Sequence, residues 1–233
     1  MVKKIKKALR YFSKGELILW LCSLFAIVLS FLLFDRKNFL MPIASLIGAT
    51  SLIFNAKGNP FGQILMIIFS LLYGIISYTF AYWGEMITYL GMTAPMALLA
   101  TVSWFKNPYE KNKKEVKVNA LRLKEYVFSF ILSLIVTVIF YFVLKSFNTP
   151  NIVWSSISVT TSFLAVYLTF RRSPFYALAY AFNDVVLIIL WSLATKTNPS
   201  YLSVVICFIA FLINDVYGFI SWKKAQKKQE KAN

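Results

Sequence analysis

Long apolar runs separated by short polar joints dominate the pattern along this chain. Most runs contain about 20 residues with few charges, which is the length a helix needs to cross the hydrocarbon core of a bilayer. Glycines and prolines such as Gly58, Pro60, Gly84 and Pro174 mark the joints. The pattern predicts eight transmembrane helices: Leu17–Phe34, Leu40–Asn55, Phe61–Trp83, Met86–Phe105, Tyr126–Phe147, Val153–Phe170, Phe175–Ala194 and Tyr201–Trp222.

The composition supports a membrane protein and leaves little room for most catalytic chemistries. Hydrophobic residues make up 59% of the chain and charged residues 15%, whereas soluble domains are about 45–50% apolar and 25% charged. There is no histidine, the commonest metal ligand. The two cysteines, Cys22 and Cys207, lie far apart in apolar runs. The sequence therefore predicts no catalytic residue, no metal site, no cofactor and no disulfide framework.

A net charge of +16 could indicate a nucleic-acid partner, but the distribution of the basic residues indicates membrane topology instead. With eight helices and a cytoplasmic N-terminus, 21 of the 25 Lys and Arg lie in cytoplasmic segments, and the other four are Arg36, Lys37, Lys145 and Lys196. Basic residues placed in this way face anionic lipid head groups. We therefore expect a multi-pass protein of the cell membrane, with both termini in the cytoplasm and with no bound nucleic acid.

Similar landmarks recur in the same order in the two halves of the chain. The third helix opens at Asn59–Phe61 (Asn-Pro-Phe) and the seventh at Ser173–Phe175 (Ser-Pro-Phe). The fourth closes at Ser103–Lys106 (Ser-Trp-Phe-Lys) and the eighth at Ser221–Lys224 (Ser-Trp-Lys-Lys). We interpret helices two to four and six to eight as parallel repeats related by an axis along the membrane normal, joined by helix five.

The expected fold class is therefore all-α transmembrane, with eight helices in a 1+3+1+3 order. Residues 1–36 form a basic segment and a peripheral helix, and residues 37–106 form the first three-helix bundle. Residues 107–150 contain a cytoplasmic loop and the linker helix. Residues 151–233 form the second three-helix bundle and a basic tail.

Two Asn-Asp pairs lie near the middle of neighbouring predicted helices. Asn183 and Asp184 belong to the seventh helix, and Asn214 and Asp215 to the eighth. A carboxylate at the bilayer centre costs ~2.5–3.5 kcal/mol on insertion scales, so these residues are expected to face protein rather than lipid. Three interpretations stay open: hydrogen bonds between helices, binding of a hydroxylated substrate, and proton or sodium coupling through Asp184.

Aromatic residues accompany these pairs at helical spacing. Tyr176, Tyr180 and Trp191 share the face of Asn183, and Tyr217 follows Asn214 by three residues. Such a face can stack a planar ring and bind hydroxyl groups. The candidate substrate-binding residues are Asn183, Asp184, Tyr176, Tyr180, Asn214, Asp215, Tyr217, Gln63, Tyr73 and Trp191.

Other polar and aromatic residues are as well explained by packing, by contact with water or by a position at the membrane interface. Gln63 and Tyr73, the candidates from the first half, are as compatible with packing as with binding. Glu85 is expected to contact water at the outer end of the fourth helix. Trp104 and Trp222 are expected to be interfacial aromatics, which are common where helices leave the membrane.

The end of the eighth helix resembles a known family signature. Residues 214–222 read Asn-Asp-Val-Tyr-Gly-Phe-Ile-Ser-Trp, followed by Lys223 and Lys224. This is similar to the Asn-x-Tyr-Gly-x-x-x-Trp pattern of PnuC-type vitamin transporters, with Asp215 at the position of the Asn. The seventh helix, with aromatic residues before the mid-helix Asn183, resembles the substrate-binding helix of that family.

This resemblance implies a SWEET-like fold with one central site between two three-helix bundles, assembled as a homotrimer. It also implies facilitated diffusion of nicotinamide riboside, which a cytoplasmic kinase traps by phosphorylation. Nicotinamide riboside transporters of the family carry Trp-x-x-Trp before the Asn, where this chain has Tyr176 and Ala179. The family also includes transporters for thiamine, riboflavin and deoxynucleosides, which stay as alternatives.

Two functions of other classes also stay open. An ion-coupled symporter would use Asp184 to bind a proton or a sodium ion. A membrane-embedded enzyme would use Asp184 and Asp215 as paired carboxylates. Neither a nucleophile nor a metal-binding pattern accompanies the two aspartates, so the sequence favours the transporter over the enzyme.

Overall fold

Long helices make up most of the chain in the computed structural model, which describes residues 11–79 and 83–232. A five-residue π-helical turn, Tyr89–Thr93, interrupts the fourth helix. A short antiparallel hairpin, β1 (Pro108–Tyr109) and β2 (Asn112–Val116), follows it. The helices are α1 (Lys14–Phe34), α2 (Leu40–Ala56), α3 (Phe61–Thr79), α4 (Trp83–Lys106), α5 (Leu123–Ser146), α6 (Ile152–Phe170), α7 (Tyr176–Ala194) and α8 (Leu202–Glu230).

The all-helical membrane class predicted from the sequence is confirmed. Among the described residues, seven helices are long and apolar enough to cross a membrane, namely α1 and α3 to α8, with α8 counted from Pro199. Helix α2 is equally apolar in character but has 17 residues, which is at the lower limit for a spanning helix.

Several predicted boundaries are wrong, and each error has a local cause. Trp83 and Gly84 lie in the first described turn of α4, whereas the sequence predicts the end of α3 and a joint there. A glycine is tolerated there because the first N–H groups of a helix have no intrahelical partner. Helix α8 continues past Trp222 to Glu230 because its Lys, Gln and Ala residues are strong helix formers.

Helix α1 begins three residues earlier than predicted because of a capping box. The Ser13 hydroxyl accepts a hydrogen bond from the Glu16 N–H, and the Glu16 carboxylate accepts one from the Ser13 N–H. Glu16 also forms a salt bridge of 3.1 Å with Lys57, which follows α2. Residues 1–10 of the predicted basic segment lie outside the described residues.

Six of the helices form a closed ring in the order α2, α3, α4, α6, α7 and α8, and α8 returns to contact α2. Helix α1 packs against α2 and α8, and α5 packs against α6, both with largely exposed side chains. The polar residues of α7 therefore meet neighbours on α6 and α8, and the interior of the ring is lined by residues from both halves of the chain.

Two tryptophans make equivalent contacts in the two halves. The Trp104 indole N–H donates to the Thr169 carbonyl at 2.9 Å, and the Trp222 indole N–H donates to the Asn55 carbonyl at 2.7 Å. Both carbonyls belong to the penultimate residues of their helices, α6 and α2. The two rings also touch, with centroids 5.2 Å apart. The expected interfacial role of these tryptophans is wrong, because both are fully buried.

The loop between α4 and α5 connects equivalent points of the two halves. Gly58 after α2 and Arg172 after α6 both adopt a left-handed conformation, with φ of 65° and 58°. The Val116 N–H donates to the Gly58 carbonyl at 2.9 Å, and the Asn119 N–H donates to the Arg172 carbonyl at 3.0 Å. This loop therefore ties both halves together at one end of the ring.

Close approach between α2 and α3 requires a glycine at position 62. A Cβ atom there would overlap the Asn55 side-chain oxygen and lie 2.7 Å from the Asn55 backbone nitrogen. We expect Gly62→Ala to lower the free energy of unfolding by about 1–3 kcal/mol, the usual cost of overpacking. Thermal unfolding of the purified protein in detergent measures this.

The matched control for that substitution is Gly15→Ala, which also lies in the first turn of a helix. A Cβ atom at Gly15 meets nothing within 4 Å. This variant should keep or slightly raise the melting temperature, since alanine is the better helix former. Equal melting temperatures for the two variants would contradict the close approach at Gly62.

Candidate functional site

Two buried carboxyl groups meet between α7 and α8. Asp184 and Asp215 are hydrogen-bond partners through their side chains and are 3% and 4% exposed. A hydrogen bond between two carboxyl groups requires at least one proton, and a pair that holds only one proton carries a net charge of −1. The Oδ2 atom of Asp184 is buried and accepts no hydrogen bond from any residue that the structure describes. The pair therefore keeps an unmet acceptor.

The amide of Asn183 is fixed by two hydroxyl groups of α6. Its Oδ1 accepts hydrogen bonds from Thr161 Oγ1 at 2.8 Å and from Ser162 Oγ at 2.9 Å. Because both donors hold the oxygen, the NH₂ group is the free end of the amide. It donates to none of the described residues, and Asn183 is buried beside Asp184. This amide can donate to a ligand without first breaking a bond.

Aromatic rings continue from the carboxyl pair toward the buried tryptophans. Tyr180 precedes Asp184 by one helical turn, and its hydroxyl lies near the Thr169 side chain. The Tyr176 ring lies 6.2 Å from that of Tyr180 and 4.9 Å from that of Trp222. The rings of Tyr176, Trp104 and Trp222 therefore form an aromatic layer on one side of the carboxyl pair.

A second aromatic layer combines residues from both halves. The rings of Tyr73 and Tyr89 are 4.5 Å apart, and Tyr89 interacts electrostatically with Asp184. The Tyr73 hydroxyl interacts with the Trp191 side chain. The predicted candidates Tyr73 and Trp191 thus lie together, although they are distant in sequence.

Tyr89 is missing from the residues that the sequence analysis selected. It lies in the π-helical turn, a feature that is often found at functional sites. The sequence signal for this turn is Pro95, which cannot donate the helical hydrogen bond to the Gly91 carbonyl. A proline in the middle of an apolar run could therefore have directed attention to the preceding turn.

Two predicted candidates on α8 lie away from the carboxyl pair. Asn214 donates to the Ser23 hydroxyl at 2.8 Å, and the Tyr217 hydroxyl donates to the Glu16 carboxylate at 3.0 Å. Both contacts join α8 to α1. Successive residues of a helix point about 100° apart, which is why Asn214 and Asp215 meet different neighbours. The contacts of Asn214 and Tyr217 fit the interpretation of these residues as hydrogen-bonding links between helices.

Gln63 also serves a contact between helices. Its amide donates to the Asn55 side-chain oxygen at 2.8 Å, and Asn55 in turn donates to Ser51. The three side chains are fully buried where α3 begins and α2 ends. The structure therefore places Gln63 in packing between α2 and α3 and gives it no contact with the aspartates.

The expectation that Glu85 contacts bulk water is wrong. Its side chain is 6% exposed, although it lies in the first turn of α4. The connection between α5 and α6 covers it, with Thr149 and Pro150 lining the same cavity as Glu85. In the part of the chain that the structure describes, no group of three or more His, Cys, Asp or Glu could hold a metal ion.

Comparisons with known proteins agree with one another. The sequence model of a family described as nicotinamide mononucleotide transporter matches residues 38–224. The Nicotinamide riboside transporter PnuC of Neisseria mucosa is 26% identical over 214 residues, covering 90% of this chain and 81% of that protein. A crystal structure of the vitamin B3 transporter PnuC superposes with a TM-score of 0.82 at 24% identity, covering 94% of each chain.

These comparisons confirm the resemblance found from the α8 signature. The matched residues run from just before the start of α2 to Lys224 in α8. The relatives are transporters, so the expectation that the chain is not an enzyme is confirmed as well. Since the family model spans the ring of six helices, this chain is a membrane transporter and belongs to the nicotinamide mononucleotide transporter family.

Proposed function

We propose that this chain takes up nicotinamide riboside by facilitated diffusion through the ring of six helices. The sign of its buried charges carries the proposal. Among the described residues, the charged side chains that are buried are all carboxylates, and they are Glu16, Glu85, Asp184 and Asp215. Nicotinamide riboside is a monocation, because its pyridinium nitrogen is quaternary. An interior with buried negative groups favours such a substrate over an anion.

The groups around Asp184 match the other parts of this molecule. When a cation binds beside Asp184 and Asp215, a pair that shares one proton offers a single negative charge to its single positive charge. The free amide NH₂ of Asn183 can donate to a ribose hydroxyl or to the carboxamide oxygen. The rings of Tyr176 and Tyr180 can stack on the pyridinium, where this chain lacks the family's two tryptophans. Trp104 and Trp222 supply further aromatic surface next to Tyr176.

The same charges favour the riboside over the mononucleotide. Nicotinamide mononucleotide adds a phosphate group, and proteins bind phosphate with Arg, Lys or backbone N–H groups. No Lys or Arg is buried in the described part of the chain. A phosphate beside Asp184 and Asp215 would face negative charge without a cation to compensate it. We therefore take the substrate named for the Neisseria mucosa protein, rather than the one in the family description, as the substrate here.

Calorimetry on the purified protein tests the substrate. We expect nicotinamide riboside to bind, and nicotinamide mononucleotide to bind about tenfold more weakly or worse, a difference of about 1.4 kcal/mol. Thymidine, thiamine and riboflavin cover the alternatives within the family. If one of these three binds tightly and nicotinamide riboside does not, that compound is the substrate instead. If none of the five compounds binds, the whole substrate class is excluded.

Proteoliposomes distinguish facilitated diffusion from ion-coupled transport and from enzymatic conversion. We propose that uptake follows the gradient of nicotinamide riboside alone and is unchanged by pH or sodium gradients. A symporter would show a dependence that Asp184→Asn removes. Chemically altered substrate inside the vesicles would indicate an enzyme.

We also propose that eight helices span the membrane as two parallel bundles in the 1+3+1+3 order of a SWEET-like fold. The equivalent bonds of Trp104 and Trp222 support this, as do the left-handed residues Gly58 and Arg172 at equivalent helix ends. The proposed parts remain residues 1–36, 37–106, 107–150 and 151–233. The distribution of basic residues supports a cell-membrane location with both termini in the cytoplasm.

The proposed partners rest on the family resemblance. They are a homotrimeric assembly, the lipid bilayer and a cytoplasmic kinase that phosphorylates the substrate after uptake. Phosphorylation would trap the product, since the interior of the ring offers a phosphate no buried cation among the described residues. Native mass spectrometry of the purified protein measures the oligomeric state, with a trimer expected.

A further inference from the structure

A cavity lies at the end of the ring where α4 begins, beyond the layer of Tyr73 and Tyr89. Its volume is about 130 Å³. Residues from α4, from the connection between α5 and α6, and from the end of α7 line it. The lining residues include Glu85, Thr149, Trp191 and Thr197.

Glu85 is an uncompensated carboxyl group on the wall of this cavity. It forms neither a hydrogen bond nor a salt bridge with the residues that the structure describes, where the two ion pairs involve Glu16 and Glu125. Its electrostatic neighbours are the hydroxyl groups of Tyr73 and Tyr89, which carry no positive charge. A charged carboxylate that is 6% exposed and without a counter-ion is costly, so Glu85 either holds a proton or gains from a cation in the space beside it.

Trp191 lines the same cavity and is held in place. It is 3% exposed, its side chain interacts with the Tyr73 hydroxyl, and its ring packs edge-on against that of Tyr201, with centroids 5.2 Å apart. An indole and a carboxylate on the wall of one cavity are the pair of groups that recognises an aromatic cation. The size also fits, because an apolar cavity of about 150 Å³ holds one benzene molecule.

We propose that Glu85 and Trp191 form an outer subsite for the aromatic ring of a cationic substrate, separate from the Asp184–Asp215 pair. The cavity accommodates one six-membered ring, so the sugar of a nucleoside would remain at its mouth. The tyrosine layer lies between the two sites, since Tyr73 contacts Trp191 and Tyr89 interacts with Asp184. The substrate thus binds first at Glu85 and passes to Asp184 when the tyrosines separate. This inference rests on the proposed cationic substrate.

Glu85→Gln tests the subsite, because it removes the charge and keeps the shape. The probes are 1-methylnicotinamide, which is a pyridinium cation without ribose, and nicotinamide, its neutral counterpart. We expect binding of 1-methylnicotinamide and uptake of nicotinamide riboside at low concentration to fall about tenfold. The maximal uptake rate and any binding of nicotinamide should change little, and Glu85→Asp should restore part of the loss. The matched control is Glu110→Gln, an exposed residue between the two strands of the hairpin.

The outcomes separate this inference from the proposed function. If the unmodified protein takes up nicotinamide riboside and Glu85→Gln behaves identically with every probe, the outer subsite is wrong and the function stands. If the unmodified protein does not bind the riboside, the function is wrong, and loss of 1-methylnicotinamide binding in Glu85→Gln then decides the subsite alone. If Glu85→Gln does not fold, Thr197→Lys places a competing cation in the cavity from its exposed rim. Unchanged uptake in that variant overturns the subsite.

Discussion

Exchanging both Asp184 and Asp215 for asparagine is expected to weaken the binding of nicotinamide riboside about a hundredfold, or by about 2.7 kcal/mol. A cation bound beside the pair favours its singly ionised form, and in this buried site opposite charges attract more strongly than in water. Asparagine keeps the size and most of the hydrogen-bonding capacity of aspartate. The loss therefore reports the charge, and calorimetry on the purified variants measures it.

The single variants should lose less than the double variant. With only Asp215 exchanged, Asp184 can ionise and still offer one negative charge to the substrate. Glu110→Gln provides a control of equal charge change at an exposed site. Retention of full affinity in the double variant would place the cation elsewhere and would remove the main support for the proposed site.

Removing either of the two equivalent tryptophans is expected to cause the largest loss of stability. Trp104→Ala and Trp222→Ala each delete a side chain that is at most 1% exposed, which costs about 3–5 kcal/mol. Each also leaves a helix-end carbonyl without its indole donor. Thermal unfolding in detergent should show melting temperatures lowered by a similar amount in both variants.

A variant with both Trp104→Ala and Trp222→Ala shows whether the two tryptophans stabilise the protein as a contact pair or independently. Because the rings lie 5.2 Å apart, Trp104 and Trp222 share part of one cavity, so the double loss should differ from the sum of the single losses. Trp83→Ala is the control, since Trp83 is partly exposed at the start of α4 and should matter much less. A large effect for one buried tryptophan and none for the other would contradict their equivalence.

The carboxyl pair is closed off from both ends of the ring in this structure. Tyr176, Trp104 and Trp222 lie on one side, and Tyr73 and Tyr89 lie on the other. With Asp184 and Asp215 exposed by only 3% and 4%, a substrate reaches them only when one of these aromatic layers separates. The loop that bonds Gly58 and Arg172 lies at the end where the tryptophans are, so opening there requires those bonds to move.

The positions of the membrane helices could be predicted from the sequence because the signal is local. About 20 consecutive apolar residues suffice to specify a spanning helix, whatever the rest of the chain does. The basic residues and the repeated landmarks are equally local, so the expected topology and repeat follow from them. The predictions at Gly84 and after Trp222 are wrong because neither a glycine nor an interfacial aromatic by itself ends a helix.

The candidate site could be predicted only in part. The sequence placed Asp184 and Asp215 near the middle of neighbouring helices, and the structure brings them together. It could not separate Asp215 from Asn214, which bonds Ser23 of α1. Periodicity shows which residues share a face of a helix, but it carries no information about which neighbour that face meets.

By itself, the sequence determined the membrane class, the number and order of apolar helices, and a polar centre that had to avoid lipid. The tertiary structure decided which polar groups face the interior of the ring and which join α8 to α1. It also buried Glu85 beneath the connection between α5 and α6 and placed Tyr89 beside Asp184 through a π-helical turn. The reason is that hydrophobicity is a property of each segment, whereas burial and pairing depend on residues far away in the chain.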